Sequence, residues 1–437
     1  MDENNRPDKK HPDYDRLHDM RRMVRDVICG VDALMADAET YLPQLEGESD
    51  TSYDARQKHA TLNKYTKKAV TVMAGLVFAG EIEFKDTPPD IEKLMENVDK
   101  RGNHVNIFAR EGFEEMLIDG YGGILTDAPS TQVKTKREQK AVDTNPFARL
   151  YLADSIWNWH YRINPVSQAE ELDLLVFKEC TQERDGRFGV AEVTRYRVLE
   201  LDDAGNVTVE VWIETDGDAK KDEDLKIDEP KRVIGVSKIP FSVSGHLGDE
   251  PPLHDIAKKN IEHFQTYSIF KSDEHKTCVP MRVIEGGSPD SVPPTAGDVT
   301  LFPPQGCKAY FIEVEGKGLD LVRSTCKDIA SDIAAMTNSI INGSPVKGSP
   351  STTATQEVID NSQETAELRP MAEQYKDTLE RMLGFFGEFL NKGIDKGGSV
   401  VLPTQWALSA QKAQENADMQ AQQNQANIAA TLAKASA

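Results

Sequence analysis

Residues 251–395 carry apolar stripes that only helices can bury, and those stripes enclose one stretch that cannot be helical. Leu253, Ala257, Ile261, Phe264 and Tyr267 recur at three- and four-residue steps, which predicts a helix from Pro251-Pro252 to about Glu274. Proline is tolerated in a first helical turn, and a rod of this length is about 35 Å long. Cys278–Val314 is rich in Pro and Gly and predicts short strands around Val279–Ile284, Val299–Phe302 and Ala309–Val314. After Gly316-Lys317-Gly318, a second helix is marked by Val322, Cys326, Ile329, Ile333, Met336 and Ile340, and Asn342-Gly343 stops it. A loop, Ser344–Ser351, leads into a third helix over about Thr353–Asn391, striped by Leu368, Met371, Tyr375, Leu379, Met382, Phe386 and Phe389. Pro370 lies inside that stretch, lacks a backbone donor and clashes with the preceding turn, so a kink is predicted there. A lone domain gains little from a β module held at the end of a helical pair. A ring gains more, because neighbouring copies can pack such helices side by side.

The N-terminal half is of mixed character. Residues 1–12 read as disordered. Leu17, Met20, Val24, Val27, Val31 and Leu34 mark an amphipathic helix, and a second is expected from near Ser52 to Phe78, with Leu62, Tyr65, Ala69, Val72 and Leu76 on one face. A third, over about 103–120, ends at Gly120-Tyr121-Gly122-Gly123 before a strand at Ile124–Thr126. Lys134–Lys140 reads as a charged loop. Residues 147–245 turn β-rich and predict an antiparallel meander, with hairpin chemistry at Asp202–Asn206 and an acidic loop at Asp216–Lys226. The fold class is therefore α+β. The Ala/Gln-rich stretch after Gln405 predicts a marginal helix.

The length of 437 residues allows two or three domains, and 38% hydrophobic residues can supply their cores. No apolar stretch reaches the roughly 20 residues of a membrane span, and the polar Met1–Asp15 segment is no secretory signal, so a cytosolic product is expected. Five dispersed cysteines, Cys29, Cys180, Cys278, Cys307 and Cys326, argue for thiols rather than disulfides. His18, His104 and His263 have no companion at metal-ligand spacing. Gly343–Ser349 has the composition of a phosphate loop without its order, and neither a G-x-S-x-G elbow nor an H-E-x-x-H pair occurs. No catalytic residue, metal or cofactor is expected, and the chain reads as a non-enzyme.

Several motifs point one way when taken in order. Tyr41-Leu-Pro-x-Leu45, Gly47-Glu48, Gly75-Leu76-Val77-Phe78, Gly120-Tyr-Gly-Gly-Ile-Leu125, Pro251-Pro252-Leu253, Phe270–Val283 with its Pro280, and Thr352-Thr-Ala-Thr-Gln-Glu357 together resemble tailed-bacteriophage portal proteins, the head–tail connectors, over roughly residues 13–395. The resemblance implies a wing at 13–250 (helical 13–130, β-rich 145–245), stem helices at 251–275 and 317–342, and a clip at 276–316. It further implies a tunnel loop at 343–352, a long kinked helix at 353–395, and a crown-like or flexible tail at 396–437. It also implies a dodecameric ring at one capsid vertex of the virion, assembled in the host cytoplasm. Such a ring would contact the major capsid protein, the terminase and adaptor or tail proteins, and pass double-stranded DNA during packaging and ejection.

A net charge of −22 suits that expectation, since a wall of one sign repels phosphates. Sparse lumen cations would then touch the backbone without reading bases. Lys347 in the tunnel loop is the first candidate, with Ser344 and Ser349 beside it and Lys327 on the second stem helix. The rival readings are an adaptor or scaffold protein, which would not explain the order of helices and β insert; a metal-dependent nuclease, against which the scattered ligands count; and a sequence-specific DNA-binding protein, which would need a basic face. If Lys347 touches the genome, Lys347→Ala should reduce genome packaging or retention in a complete phage assay, and unchanged titres of filled particles would remove it from the channel.

Overall fold

The computed structural model describes residues 5–129, 144–165, 167–202, 204–215, 225–277, 281–285, 308–312, 317–342 and 367–405. In chain order the elements are α1 (Pro12–Cys29), α2 (Val31–Ala36), α3 (Ala38–Tyr41), α4 (Asp50–His59), α5 (Tyr65–Val77), β1 (Glu83–Lys85), α6 (Pro89–Leu94), α7 (Val105–Asp119), β2 (Gly122–Asp127), β3 (Phe147–Leu152), β4 (Ile156–Ile163), β5 (Glu170–Asp185), β6 (Gly189–Leu201), β7 (Val207–Glu214), β8 (Leu225–Val233), β9 (Phe241–Ser244), α8 (His254–Thr277), β10 (Met281–Glu285), β11 (Lys308–Ile312), α9 (Lys317–Asn342), α10 (Leu368–Phe389) and β12 (Ser399–Val401). The architecture is α+β, the class the sequence pattern implied. The chain divides into two compact units, Met1–Arg25 with Lys67–His254 and Asn338–Ala437, and Asp26–Thr66 with Asp255–Thr337.

The first unit is built on two sheets. Strands β4 to β8 form an antiparallel meander in sequence order. Alternate residues serve its two faces: Leu175 and Phe177 join the main core, while Val176 joins a smaller cluster with Tyr196 and Leu225. Strands β3 and β9 fall outside the meander that the β-rich composition predicts. Both pair with β2, giving a three-stranded sheet in the order β3-β2-β9. β2 is buried from Gly122 to Thr126, and α10 is tied to this sheet where Thr378 Oγ1 and Arg381 Nη2 donate to the Val243 carbonyl at 2.8 and 3.1 Å.

The Gly120-Tyr-Gly-Gly motif does three jobs. Gly120 takes φ of 86° to end α7, in the left-handed region that favours glycine. A Cβ on Gly123 would lie 2.3 Å from the Phe241 ring, so a side chain there would split β2 from β9. Between them, the Tyr121 hydroxyl accepts from Arg21 Nη1 at 2.9 Å. Arg21 is fully buried although it sits on a helix predicted to bury only apolar residues, and it also donates to the Asp154 carboxylate and the Tyr14 carbonyl, both at 3.3 Å. One turn on, Arg25 Nη2 donates to Asp119 at 2.5 Å and Glu115 at 2.7 Å.

The single helix expected over Ser52–Phe78 is two helices joined by residues 60–64: α4, in the second unit, and α5, which from Lys67 belongs to the first. Buried Asn260 on α8 enforces the break. Its Oδ1 accepts from the Thr66 N–H and hydroxyl, both at 3.1 Å, and its Nδ2 donates to the Asn63 carbonyl at 2.9 Å. The buried face of α5 is accordingly Ala69, Val70, Met73, Ala74 and Val77, with Val72 exposed, rather than the stripe expected from a helix begun at Ser52. Strands β10 and β11 pair antiparallel, Met281 opposite Ile312 and Glu285 opposite Lys308, between the long helices α8 and α9.

Asp119 gives this fold a pH dependence. Burial pushes its carboxyl up to about 6, with Arg25 opposing, from an ordinary value of 3.8. The native state therefore holds the proton more tightly than the unfolded chain. The contribution of this group favours the fold below about pH 4 and is lost as pH rises through about 6. Asp119→Asn cannot ionise, so the fall in urea-unfolding stability between about pH 4.5 and 7 should shrink by on the order of 1–2 kcal/mol. Equal slopes in wild type and variant would mean that Arg25 keeps Asp119 ionised throughout.

Candidate functional site

Of the channel candidates singled out by sequence, Lys327 is the one within the described residues, and it lines a cleft. It lies exposed on α9, four residues from Arg323, so both cations share one helix face. Together with Lys271, Tyr65, His263, Tyr267 and Cys326 they line a cleft of about 430 Å³ within the second unit. Its floor is a run of rings. Tyr65 meets His263 edge-on at 5.1 Å, His263 stacks on Tyr267 at 5.6 Å, and Tyr267 stacks on Phe270 at 5.9 Å. Lys271 Nζ stands 5.6 Å from the Tyr267 and Phe270 ring centres and 2.7 Å from Glu274 Oε2.

The helices explain this arrangement. On α8, His263, Tyr267, Phe270 and Lys271 follow three- and four-residue steps, so the rings stack along one side. On α9, Cys326 is buried while its neighbour Lys327 is exposed. Burial lowers the His263 pKa, so the imidazole stays neutral at neutral pH, and its Nδ1 is buried without a hydrogen-bond partner. Burial likewise raises the Cys326 pKa, which keeps the thiol protonated and a poor nucleophile. The cleft thus offers cations above an aromatic floor, suited to transient contact with an anion. Among the described residues no group of three or more His, Cys, Asp or Glu side chains could hold a metal ion.

The other sequence candidates lie elsewhere. Lys347, Ser344 and Ser349 fall outside the described residues, as does the stretch 353–366 that would precede Pro370. Pro370 is the third described residue of α10, and the Met371 N–H after it donates to the Glu367 carbonyl at 3.3 Å.

Sequence reasoning did not find a larger cleft, about 850 Å³, in the first unit. It lies beside the start of β5 and the inner side of α10, and its lining includes Tyr161, Glu170, Asp377, Arg381, Phe385 and Asp395. Glu170 and Asp377 are more than two hundred residues apart, and no local pattern signals that they meet. Burial lowers the Arg381 pKa, with Asp377 opposing the shift.

The profile of a family described as a domain of unknown function, DUF4055, matches residues 252–390, from the start of α8 to the end of α10. No curated protein matches the chain. Among solved structures, a chain described as "Virion of native gene transfer agent (GTA) particle" is similar with a TM-score of 0.42 and 12% identity, over 90% of this chain and 95% of that chain.

If the cations on α9 face an anion, the double variant Arg323→Glu, Lys327→Glu should lower weak low-salt retention on duplex DNA by about tenfold, with the difference fading above about 0.3 M salt. Circular dichroism should be unchanged, because both side chains are exposed. Equal retention would leave the pair as ordinary surface charge.

Proposed function

We propose that this chain is a ring-forming portal subunit of a phage-like virion, a passage for double-stranded DNA and a platform for the packaging motor and the tail. The observation that carries this reading is the coverage of α9. The helix has 26 residues, about 39 Å, yet buries Cys326, Ile329 and Ile333 while Leu321 stays 69% exposed. Val322, Met336 and Ile340, which belong to the same apolar stripe, are only half-buried. A helix gains most of its stability from a packed apolar face, so a stripe left only partly covered by the described residues favours neighbouring copies alongside it. The helix–hairpin–helix order around β10 and β11 suits side-by-side packing about an axis, and the net charge of −22 suits a passage that must not retain phosphates. Terminase, adaptor and capsid proteins are the partners this reading assigns.

Native mass spectrometry of the purified 48.6 kDa chain, with negative-stain imaging, tests it directly. A closed ring of about twelve subunits with a central channel is the expected result. A chain that stays monomeric at high concentration, alone and with capsid protein present, would move the assignment to an adaptor or scaffold.

A further inference from the structure

Strands β5 and β6 run far past the sheet they belong to. β4 pairs with β5 only as far as Phe177, and β7 pairs with β6 only from Arg195. Beyond those points Cys180–Asp185 pairs with Gly189–Thr194 and, among the described residues, with no other strand, and every residue from Cys180 to Glu192 is exposed. A two-stranded ribbon standing in water is marginal by itself. This one also carries apolar groups where they cost most, with Phe188 at its tip 85% exposed and Val190 63% exposed. The Arg187 guanidinium lies over the Phe188 ring at 4.9 Å, and Arg184 Nη2 donates to the Arg187 carbonyl at 2.8 Å. The tip therefore carries an aromatic ring under the Arg187 guanidinium, with the Arg184 guanidinium held at the same turn, on a protein that is otherwise strongly acidic.

The 850 Å³ cleft of the first unit has complementary properties. The carboxylates Glu170, Glu171, Asp377, Glu380 and Asp395 outnumber the cations Lys238 and Arg381 in its lining, and Tyr161, Phe385 and Leu172 bring apolar surface. It lies at the opposite end of the same strand: Glu170 opens β5 and Asp185 closes it. At about 3.3 Å per residue the two ends stand about 50 Å apart, so the tip cannot reach the cleft of its own chain.

We propose that the β5–β6 arm docks its Arg184/Arg187/Phe188 tip into the Glu170/Asp377/Asp395 cleft of a second copy of this chain. Complementary surfaces at opposite ends of one rigid element make a head-to-tail contact, which generates a ring when the rotation closes. The inference deepens the ring reading by naming an interface, and rests on it only for closure, because the arm and the cleft are properties of one chain.

Two variants test it. In the arm variant, Arg184→Ser, Arg187→Ser and Phe188→Ser alter only exposed tip residues and leave the tip uncharged; in the cleft variant, Glu170→Lys and Asp377→Lys alter two exposed carboxylates. Each alone should lose the oligomer in native mass spectrometry, with a dissociation constant raised at least about tenfold. An equimolar mixture has one intact arm facing one intact cleft, so it should stop at a 1:1 heterodimer. Circular dichroism matching wild type excludes misfolding, and a photo-crosslinker in place of Phe188 should join the wild-type background near Phe385 or Asp395 of another copy. Wild-type rings that persist in both variants, or crosslinks that map elsewhere, overturn this interface and leave the ring reading standing. A wild-type chain that forms no ring under any condition overturns the ring reading, while a heterodimer in the mixture would still uphold the arm-to-cleft contact.

Discussion

The buried Arg21 guanidinium is the constraint on which the first unit depends. A fully buried cation must have its donors satisfied, because an unpaired one costs several kcal/mol. Here the acceptors come from three places far apart in sequence: the Tyr14 carbonyl on its own helix, the Tyr121 hydroxyl at the entry to β2, and the Asp154 carboxylate between β3 and β4. Satisfying one side chain thus fixes α1 against the central strand and against the corner where the three-stranded sheet gives way to the meander. Arg25, pushed up because Asp119 and Glu115 outweigh the burial that would lower it, secures the next turn of α1 to α7 in the same way. Leu17 on the same helix joins the core that also takes in Leu175 and Phe177 of β5, so the placement of α1 carries through to the meander.

Where burial is one-sided, the sequence was legible. Leu253, Ala257, Ile261 and Phe264 on α8, and Tyr375, Leu379, Met382 and Phe386 on α10, are buried at the spacing their periodicity announces. Legibility failed where a distant residue overrides local preference. Nothing between Ser52 and Phe78 foretells that Asn260, almost two hundred residues later, claims the Thr66 N–H and the Asn63 carbonyl and so splits one helix into two. Arg21 was hidden for a related reason: a period of 3.6 identifies a face, and a cation on that face reads as an error until its acceptors are seen. The pairing of β1 with β12, Glu83 opposite Val401, joins segments too short and too far apart for any pattern to reveal.

The candidate site was legible only in part. Lys327 was singled out for its place on a helix, but its setting, with the aromatic run from Tyr65 to Phe270 and the cations Lys271 and Arg323, belongs to tertiary structure. Gly120-Tyr-Gly-Gly is the opposite case. It was noticed as a stop and a turn, and the structure adds that Gly123 is required by contact with Phe241 and that Tyr121 serves a buried cation.

The length of β5 has a mechanical meaning. An extended strand is already close to its full contour, so it can be neither stretched nor compressed without breaking its ladder. In β5 the N-terminal half is clamped between β4 and β6 while the C-terminal half projects beyond β4, paired with β6 alone. Such an element behaves as a cantilever with no slack. A pull at Phe188 along the strand is therefore carried by the β5 backbone to Glu170 at the wall of the cleft, where α10 also stands.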